Sequence, residues 1–265
     1  MTSLLVRVKR ILAKVLCNSI TGRAICLLPF IPYRGLRIPT TLSSLSYRQY
    51  SQLFFRVYER AEHDLLDLFL PKVIDFNLIV VEVGSSIGVG TALILQRFSN
   101  SFTRHLIVIE ANPLLKNDFY RLLNFNNLPL DFTSYIGYAL SYSDSTVFIS
   151  NQSSSLSNRL VGDPSTLPSS EIPAIKLEDI PLLSDTDYPI ILVIDCEGSE
   201  IDLFLNSKAS LLSRFLVVLV EINLENCFND VFYSFSDVVD LITRRGFTLS
   251  YSDGNCAAFL NSSFL

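Results

Sequence analysis

The sequence contains only two histidines and five cysteines among its 265 residues. Two histidines cannot supply a histidine-rich metal site, and the cysteines lack the paired spacing of a zinc motif. Unpaired cysteines in odd number are typical of reduced thiols, which predicts a cytoplasmic protein. Charged residues make up 18% of the chain and hydrophobic residues 49%, so we expect a substantial core rather than disorder.

Acidic residues are absent from the N-terminal segment, because no aspartate or glutamate precedes Glu59. Residues 1–58 carry nine Lys or Arg, giving +9, whereas residues 59–265 carry twelve bases and 26 acids, giving −14 and a total of −5. An acidic body repels phosphate backbones, so no nucleic-acid partner is expected. A small-molecule or glycan acceptor fits this charge better.

The basic N-terminus contains a predicted amphipathic helix over residues 4–16, with leucines, valines and an isoleucine on one face and Arg7, Arg10 and Lys14 on the other. Such a helix could lie on an anionic membrane, or it could dock on the body or on a second subunit. The apolar run at 24–33 is broken by two prolines and is too short to span a bilayer. It lies far from the terminus and no small-x-small cleavage pattern follows it, so we do not expect a secretory signal. We divide the chain into a basic extension, residues 1–50, and a body, residues 51–265.

From residue 51 onward, helical and strand patterns alternate along the chain. A stretch at 151–170, rich in serine and proline, is predicted to be a long loop. This alternation predicts an α/β fold with a mainly parallel, doubly wound sheet and an antiparallel pair of final strands at one edge. The predicted helices are 54–73, 87–98, 113–124 and 232–245, and the predicted strands are 78–83, 106–109, 132–139, 146–150, 190–194, 215–222, 247–251 and 256–261.

A glycine turn follows the first strand of the body, which carries Glu82. In an open parallel sheet, ligands bind at the carboxyl ends of the strands. The pattern from Glu82 through Gly84 to Gly88 is E-x-G-x-x-x-G, and it lacks the third glycine of a dinucleotide site. It suits S-adenosylmethionine, with Glu82 orienting the turn or accepting a hydrogen bond from the methionine ammonium. A turn that serves only packing is the alternative.

Acidic residues also follow three later strands. Glu110 lies 22 residues after Gly88, where a carboxylate can accept both ribose hydroxyls of a nucleoside. Asp195, Glu197 and Glu200 follow a wholly apolar strand, which is unfavourable unless they meet solvent, a cation or a substrate. Glu200 is expected in the first turn of the next helix. The last such strand ends at Glu221 and is followed by an amide, Asn223.

These segments together resemble one enzyme family. From about Tyr58 to Phe247, the sequences VVEVGSSIG, LIVIEANP, SSSLS, IKLEDI, VIDCEGSEIDLF and LVEIN resemble the FkbM family of S-adenosylmethionine-dependent methyltransferases. The D-x-E-G-x-E element from Asp195 to Glu200 is the most specific of them. The sequence departs from the family in having Glu82 where Asp is common and Ser85-Ser86 where Ala-Asn is common; a carboxylate and small polar groups are kept.

The resemblance implies the Rossmann-like class I methyltransferase fold and methylation of a hydroxyl on a sugar, glycan or natural-product acceptor. We expect Asp195 to be the catalytic base, with Glu197 as the second choice. The cofactor contacts that the resemblance implies are Glu82, Gly84, Ser85, Ser86 and Gly88 at the methionine end, Glu110 at the ribose, Ala111 and Asn112 beside the adenosine, Ala139, Leu140 and Ser141 near the adenine, and Asp195 beside the methyl group.

Three further possibilities stay open from the sequence. No metal ligand is assigned, although a divalent ion held by Asp195, Glu197 and Glu221 is an alternative. His63 could reach the site, but a single histidine on a helix is more often a surface residue. An NAD-dependent oxidoreductase and a membrane-recruited, non-catalytic binding protein are the competing functions.

Overall fold

The computed structural model describes residues 15–70, 77–98, 105–150, 169–196, 198–222, 227–228 and 231–264. Within these ranges, elements are numbered in chain order. The helices are α1 (Ser19–Ile25), α2 (Tyr47–Phe54), α3 (Arg60–Phe69), α4 (Val89–Phe98), α5 (Lys116–Phe125), α6 (Pro181–Ser184), α7 (Ser199–Asn206), α8 (Ala209–Leu212) and α9 (Phe235–Arg244). The strands are β1 (Phe30–Tyr33), β2 (Leu36–Pro39), β3 (Ile79–Val83), β4 (His105–Ile109), β5 (Thr133–Ile136), β6 (Ala139–Leu140), β7 (Thr146–Ser150), β8 (Ser169–Ile175), β9 (Ile190–Ile194), β10 (Phe215–Glu221), β11 (Cys227–Phe228), β12 (Val231–Phe232), β13 (Phe247–Asp253) and β14 (Cys256–Asn261).

Seven strands form the central sheet, in the order β13-β14-β10-β9-β3-β4-β5. The five strands from β10 to β5 are parallel, and β14 pairs antiparallel with both β10 and β13. The predicted α/β fold with a mainly parallel sheet is therefore confirmed, as is the antiparallel pair at its edge. Strand order reverses beside β3, whose neighbours are β4 and β9, and this reversal marks the expected ligand crevice.

The core lies on both faces of this sheet, because β3 and β9 are buried at every position. Alternate residues of a strand point to opposite faces. Val80 accordingly packs in one apolar cluster with Leu66 of α3 and Phe119 of α5, whereas Val81 packs in a second cluster. That second cluster includes Ile201 of α7 and Ile242 of α9, among other residues. The continuous apolar strands of the sequence indicated this two-sided burial.

The N-terminal segment contributes a β-hairpin, β1–β2, that the sequence analysis did not predict. The chain reverses at Arg34 and Gly35, both in the left-handed region (φ 47° and 90°). Tyr33 and Ile38 of the hairpin are fully buried in the same cluster as Leu66. Arg34 pairs with Asp64 of α3, so the hairpin is attached to the body by charge as well as by packing. A division after residue 50 stays a prediction.

Three predicted boundaries differ from the structure. The predicted helix 54–73 is interrupted, because α2 ends at Phe54 and α3 begins at Arg60, with Arg56 and Glu59 in left-handed conformations between them. The predicted strand 132–139 is divided: β5 belongs to the central sheet, while β6 pairs with β8 in a small separate sheet. Strand β8 also occupies the last two residues of the predicted loop 151–170. The rest of that loop, residues 151–168, and residues 4–14 of the predicted N-terminal helix lie outside the described ranges.

Candidate active site

The ends of β3, β4 and β9 are joined by backbone hydrogen bonds beyond the strands. The Gly84 N–H donates to the carbonyl of Ile109 at 2.9 Å, and the Asp195 N–H donates to the carbonyl of Val83 at 2.9 Å. The Glu110 N–H in turn donates to Ile136 at 3.0 Å. The predicted site residues at these strand ends are therefore brought to one edge of the sheet.

The glycine turn passes close to its neighbours. Gly84 and Gly88 have φ angles of +83° and +85°, which side chains other than glycine rarely adopt. A Cβ on Gly88 would lie 2.5 Å from a ring carbon of Phe119 in α5. The neighbouring Ser85 is 5% exposed, and its Oγ has no hydrogen-bond partner within the described ranges. The turn thus presents a buried hydroxyl that a ligand can satisfy.

Glu110 is held rigidly by two backbone N–H groups. Its Oε2 accepts from Ser86 and its Oε1 from Asn112, both at 2.7 Å. Asn112 also accepts from the Leu114 N–H at 3.1 Å, which begins a turn of 3-10 helix and fixes the segment after β4. Burial raises the pKa of Glu110 to about 7. Both oxygens keep a lone pair that can accept from a hydroxyl.

Glu82 points toward α4. The Thr91 hydroxyl donates to one of its carboxyl oxygens, and a Cβ on Gly90 would lie 2.5 Å from the other. Burial raises the pKa of Glu82 to about 8, so this carboxyl is mainly protonated at neutral pH. Glycine at position 90 is what allows the helix to approach this group.

Strand β6 and the turn that follows it contain the residues predicted near the adenine. Ala139, Leu140 and Ser141 are all buried. Asp202 of α7 accepts from the Ser141 hydroxyl at 3.0 Å and from the Tyr142 N–H at 2.7 Å, with further bonds to the next residue. The sequence analysis did not single out Asp202, although it lies in the segment VIDCEGSEIDLF.

The segment after β9 holds the predicted catalytic residues. Asp195 and Cys196 are partly buried, and Glu197 lies outside the described ranges. Burial raises the pKa of the Cys196 thiol well above its usual value, which makes this sulfur a poor nucleophile. Glu200 is 1% exposed and accepts from the Gly198 N–H at 3.0 Å in the first turn of α7. The Glu200 carboxylate therefore stabilises the start of α7.

Helix α3 adds two carboxylates that the sequence analysis missed. One carboxylate oxygen each from Glu62, Asp195 and Glu221 lies within 4.8 Å of the others, and Glu59 lies next to Glu62. Burial raises the pKa of Glu59 to about 7, with a contribution from Glu221, and that of Glu62 well above its usual value. Glu59 immediately precedes α3 and Glu62 lies in its first turn, and no sequence pattern distinguished either of them from a surface acid.

His63 is fully buried, so the expectation of a surface histidine was wrong. Burial lowers its pKa to about 3, and the imidazole is neutral at physiological pH. The reason is the hairpin β1–β2, whose Tyr33 covers this face of α3: the Tyr33 Oη lies 2.6 Å from Nδ1 of His63. A face that is covered by a neighbouring element cannot be read from helix periodicity alone.

Comparison with known protein families identifies the family to which the chain belongs. A sequence model described as the methyltransferase FkbM domain matches residues 82–249. The chain belongs to the FkbM methyltransferase family. The match begins at Glu82 and includes the glycine turn, Glu110, the segment from Asp195 to Glu200, and Glu221.

Solved structures of methyltransferases resemble the chain at low sequence identity. A methyltransferase FkbM from Methylobacillus flagellatus is 13% identical, with a TM-score of 0.45, 80% of this chain covered and 54% of that one. This chain thus spans about half the length of that FkbM structure. A putative rRNA methylase from Clostridium thermocellum is 10% identical (TM-score 0.41; coverage 74% and 94%). The magnesium protoporphyrin IX methyltransferase from Synechocystis with bound SAM is 9% identical (TM-score 0.38; coverage 76% and 79%). No curated protein matches the sequence.

The FkbM match leaves the acidic face of α3 outside its bounds. Glu59, Glu62 and His63 precede residue 82, yet Glu62 lies within 4.8 Å of Asp195 and Glu221 inside the match. The N-terminal hairpin is likewise outside it. The site in this member of the FkbM family therefore combines family residues with residues that the matched domain does not contain.

Proposed function

We propose that this protein transfers a methyl group from S-adenosylmethionine to a hydroxyl oxygen of a sugar, glycan or other natural-product acceptor. The observation that carries the proposal is the fixed carboxylate of Glu110 beside the glycine turn, at the reversal in strand order. A nucleoside ligand requires such an acceptor for its ribose hydroxyls. Membership of the FkbM family supports methyl transfer over hydride transfer.

The residues present fit the cofactor. The methionine end would be lined by Gly84, Ser85, Ser86 and Gly88. The buried Ser85 hydroxyl, which has no hydrogen-bond partner in the described part of the chain, could bond to the cofactor there. Glu82 would sit below them as a buried acid. Glu110 would hold the ribose, with Ala111 and Asn112 beside the adenosine. Ala139, Leu140 and Ser141, on the turn fixed by Asp202, would form the adenine edge.

Asp195 would act as the base. When bound, the cofactor supplies a methyl group on a sulfonium sulfur, which leaves as a neutral thioether. Asp195 would accept the proton that the acceptor hydroxyl loses as its oxygen takes up this methyl group. Alignment of the two reactants supplies much of the acceleration, and a positioned base adds roughly 10²–10⁴-fold. Glu197 would be the second candidate for this role.

The acidic surroundings of Asp195 support a cationic cofactor. Glu62 and Glu221 lie within 4.8 Å of Asp195, and carboxyl groups this close together accommodate a cationic sulfonium better than an anionic ligand. They also disfavour a nucleic-acid acceptor, whose phosphates they would repel. These charges are the reason for preferring a neutral hydroxyl compound.

Calorimetry tests the proposed function. Adenosylhomocysteine, the product form of the cofactor, is expected to bind with one site per chain, and NAD is expected not to bind. Glu110→Gln removes the charge that accepts from the ribose hydroxyls and should weaken adenosylhomocysteine binding about 10- to 100-fold, in line with about 1.5–3 kcal/mol for a charged hydrogen bond. Tight binding of NAD would indicate an oxidoreductase, and binding of neither ligand would indicate a non-catalytic protein.

We also propose that residues 1–20 attach this cytoplasmic enzyme to the surface of an anionic membrane. None of the helices in the described ranges is long and apolar enough to cross a bilayer. Large apolar side chains are nevertheless exposed next to the basic N-terminus: Val15 is 65% exposed, Ile20 82% and Leu27 87%. Apolar side chains among basic residues are the combination that binds anionic lipid surfaces. An oligomer contact is the alternative.

A further inference from the structure

The hydrogen bonds of Tyr33 determine which nitrogen of His63 carries the proton. The Tyr33 hydroxyl donates to the carbonyl of Tyr58 at 3.0 Å, and its oxygen lies 2.6 Å from His63 Nδ1. A hydroxyl has one proton, and a carbonyl can only accept. Both bonds form together only if Nδ1–H of His63 donates to the Tyr33 oxygen. The lone pair of the neutral ring is then on Nε2.

This Nε2 atom is buried and has no hydrogen-bond partner within the described residues. The carboxylate of Glu59, which immediately precedes α3, has its Oε2 3.7 Å away, too far for a hydrogen bond. An unprotonated, unpartnered nitrogen in the protein interior costs free energy unless a ligand satisfies it. Its position beside carboxylates indicates a cation as that ligand.

The carboxylates of Glu59 and Glu62 complete a ligand set with His63. Glu59 immediately precedes α3, and Glu62 and His63 lie in its first turn, so all three belong to the N-terminal end of this helix. One ligand atom from each lies within 4.8 Å of the other two. We propose that Glu59, Glu62 and His63 bind a divalent transition-metal ion.

The composition of the set selects the kind of ion. One imidazole nitrogen with two carboxylates is typical of manganese, iron, cobalt or zinc, whereas calcium and magnesium prefer oxygen ligands alone. The second contact of the ring, from Nδ1 to Tyr33, is the arrangement that orients metal-binding histidines in general. Tyr33 would therefore be a positioning residue that belongs to the hairpin.

The crowding of carboxyl groups in this region also favours a cation. Glu62 is 9% exposed, and its carboxyl group has no hydrogen bond or ion pair within the described parts of the chain. Asp195 and Glu221 each place a carboxyl oxygen within 4.8 Å of it. Uncompensated buried carboxylates are costly, and a bound divalent ion offsets that cost.

Metal binding can be measured without any methyl transfer. Protein freed of metal by dialysis against a chelator is titrated with Mn²⁺, with free Mn²⁺ followed by its EPR signal, and separately with Co²⁺, followed by visible absorption. We expect one ion per chain. Glu62→Gln and His63→Gln should weaken Mn²⁺ binding at least about 100-fold, and Tyr33→Phe, which leaves all three ligands in place, about 10- to 100-fold. The Co²⁺ spectrum should change in His63→Gln.

Glu171→Gln is the matched control, because Glu171 is an exposed acid on β8, and its Mn²⁺ binding should equal that of the wild type. If His63→Gln does not fold, Glu59→Gln, at a partly buried position, and Tyr33→Phe, which removes only a hydroxyl, give the same test. The proposal is overturned if the wild type binds no Mn²⁺ or Co²⁺, or if Glu62→Gln binds Mn²⁺ as tightly as Glu171→Gln. Adenosylhomocysteine titrations on the same samples report separately on the proposed function.

Discussion

Gly84 and Asp195 meet through their backbones: a Cβ added to Gly84 would lie 1.8 Å from the carbonyl oxygen of Asp195. The contact joins the end of β3 to the end of β9, and it exists because residue 84 has no side chain. No rotation of a side chain can relieve such an overlap, since both groups belong to the main chain. The distance between the cofactor turn and the proposed base is therefore set by a single glycine.

Gly84→Ala is expected to lower the free energy of unfolding by about 3 kcal/mol or more, since it combines a backbone clash with an unfavourable φ angle. Gly254→Ala is the control, because Gly254 also has a positive φ, +65°, but nothing lies within 4 Å of its added Cβ. Its cost should be only about 1–2 kcal/mol. Urea unfolding of both variants measures the difference, and equal costs would contradict the described contact.

Asp195→Asn should separate binding from chemistry. The amide keeps the size of the side chain but cannot accept the acceptor's proton, so turnover should fall about 10²–10⁴-fold. Adenosylhomocysteine affinity should change little by comparison. Asp240→Asn, at an exposed position on α9, serves as the control and should leave turnover unchanged. Normal turnover in Asp195→Asn would rule out Asp195 as the base.

The buried acid Glu82 should make stability depend on pH. Its pKa is about 8 in the folded protein against an ordinary value of 4.5, so between these values the folded state keeps a proton that the unfolded chain has lost. Stability therefore declines as the pH rises toward 8. From pH 6.5 to 8.5, Glu82 alone should account for on the order of 2 kcal/mol.

Glu82→Gln should remove that share of the decline, because the amide has no proton to lose. Urea unfolding at pH 6.5 and 8.5, with a chelator present, measures it. Part of the decline should persist in the variant, since burial also raises the pKa values of Glu59 and Glu110 to about 7. An identical pH dependence in the variant and the wild type would show that Glu82 ionises normally.

Flotation with vesicles tests the membrane proposal. The full chain should float with vesicles rich in phosphatidylglycerol and not with neutral vesicles, and high salt should reduce the effect because the attraction is partly electrostatic. Deleting residues 1–20, or introducing Leu27→Asp, should weaken flotation. Phe264→Asp alters an apolar side chain that is 61% exposed near the other end of the chain and should have no effect. Flotation that is insensitive to the deletion would contradict the proposal.

Sequence patterns identified the site best where a strand ends. Glu82, Glu110, Asp195 and Glu221 could all be found because apolar strands are easily recognised and the acids that follow them are conspicuous. Glu59 and Glu62 could not, because the direction of a helix face depends on what packs against it. The break before α3 gave no signal either: Arg56 and Glu59 adopt left-handed conformations without glycine.

The hairpin β1–β2 was missed for a different reason. The apolar run at 24–33, broken by Pro29 and Pro32, was considered only as a membrane span or a secretory signal, yet part of it forms β1, which pairs with β2 in a sheet of only two strands, both of them edges. Proline is tolerated on an edge because its missing N–H is not needed there. Because the hairpin was missed, His63 was expected at the surface, whereas Tyr33 of the hairpin covers it.

The pairing of β3 with β9 also governs when the site can form during synthesis. Ile79 pairs with Ile190, 111 positions later, although the strands are neighbours in the sheet. A nascent chain that has emerged only as far as β8 can pair β3 with β4 but has no Asp195 to close against Gly84. The edge of β3 is then an unpaired strand, a surface that favours wrong association. Closure of β3 on β9 is therefore a long-range step, and contacts so far apart in sequence form slowly.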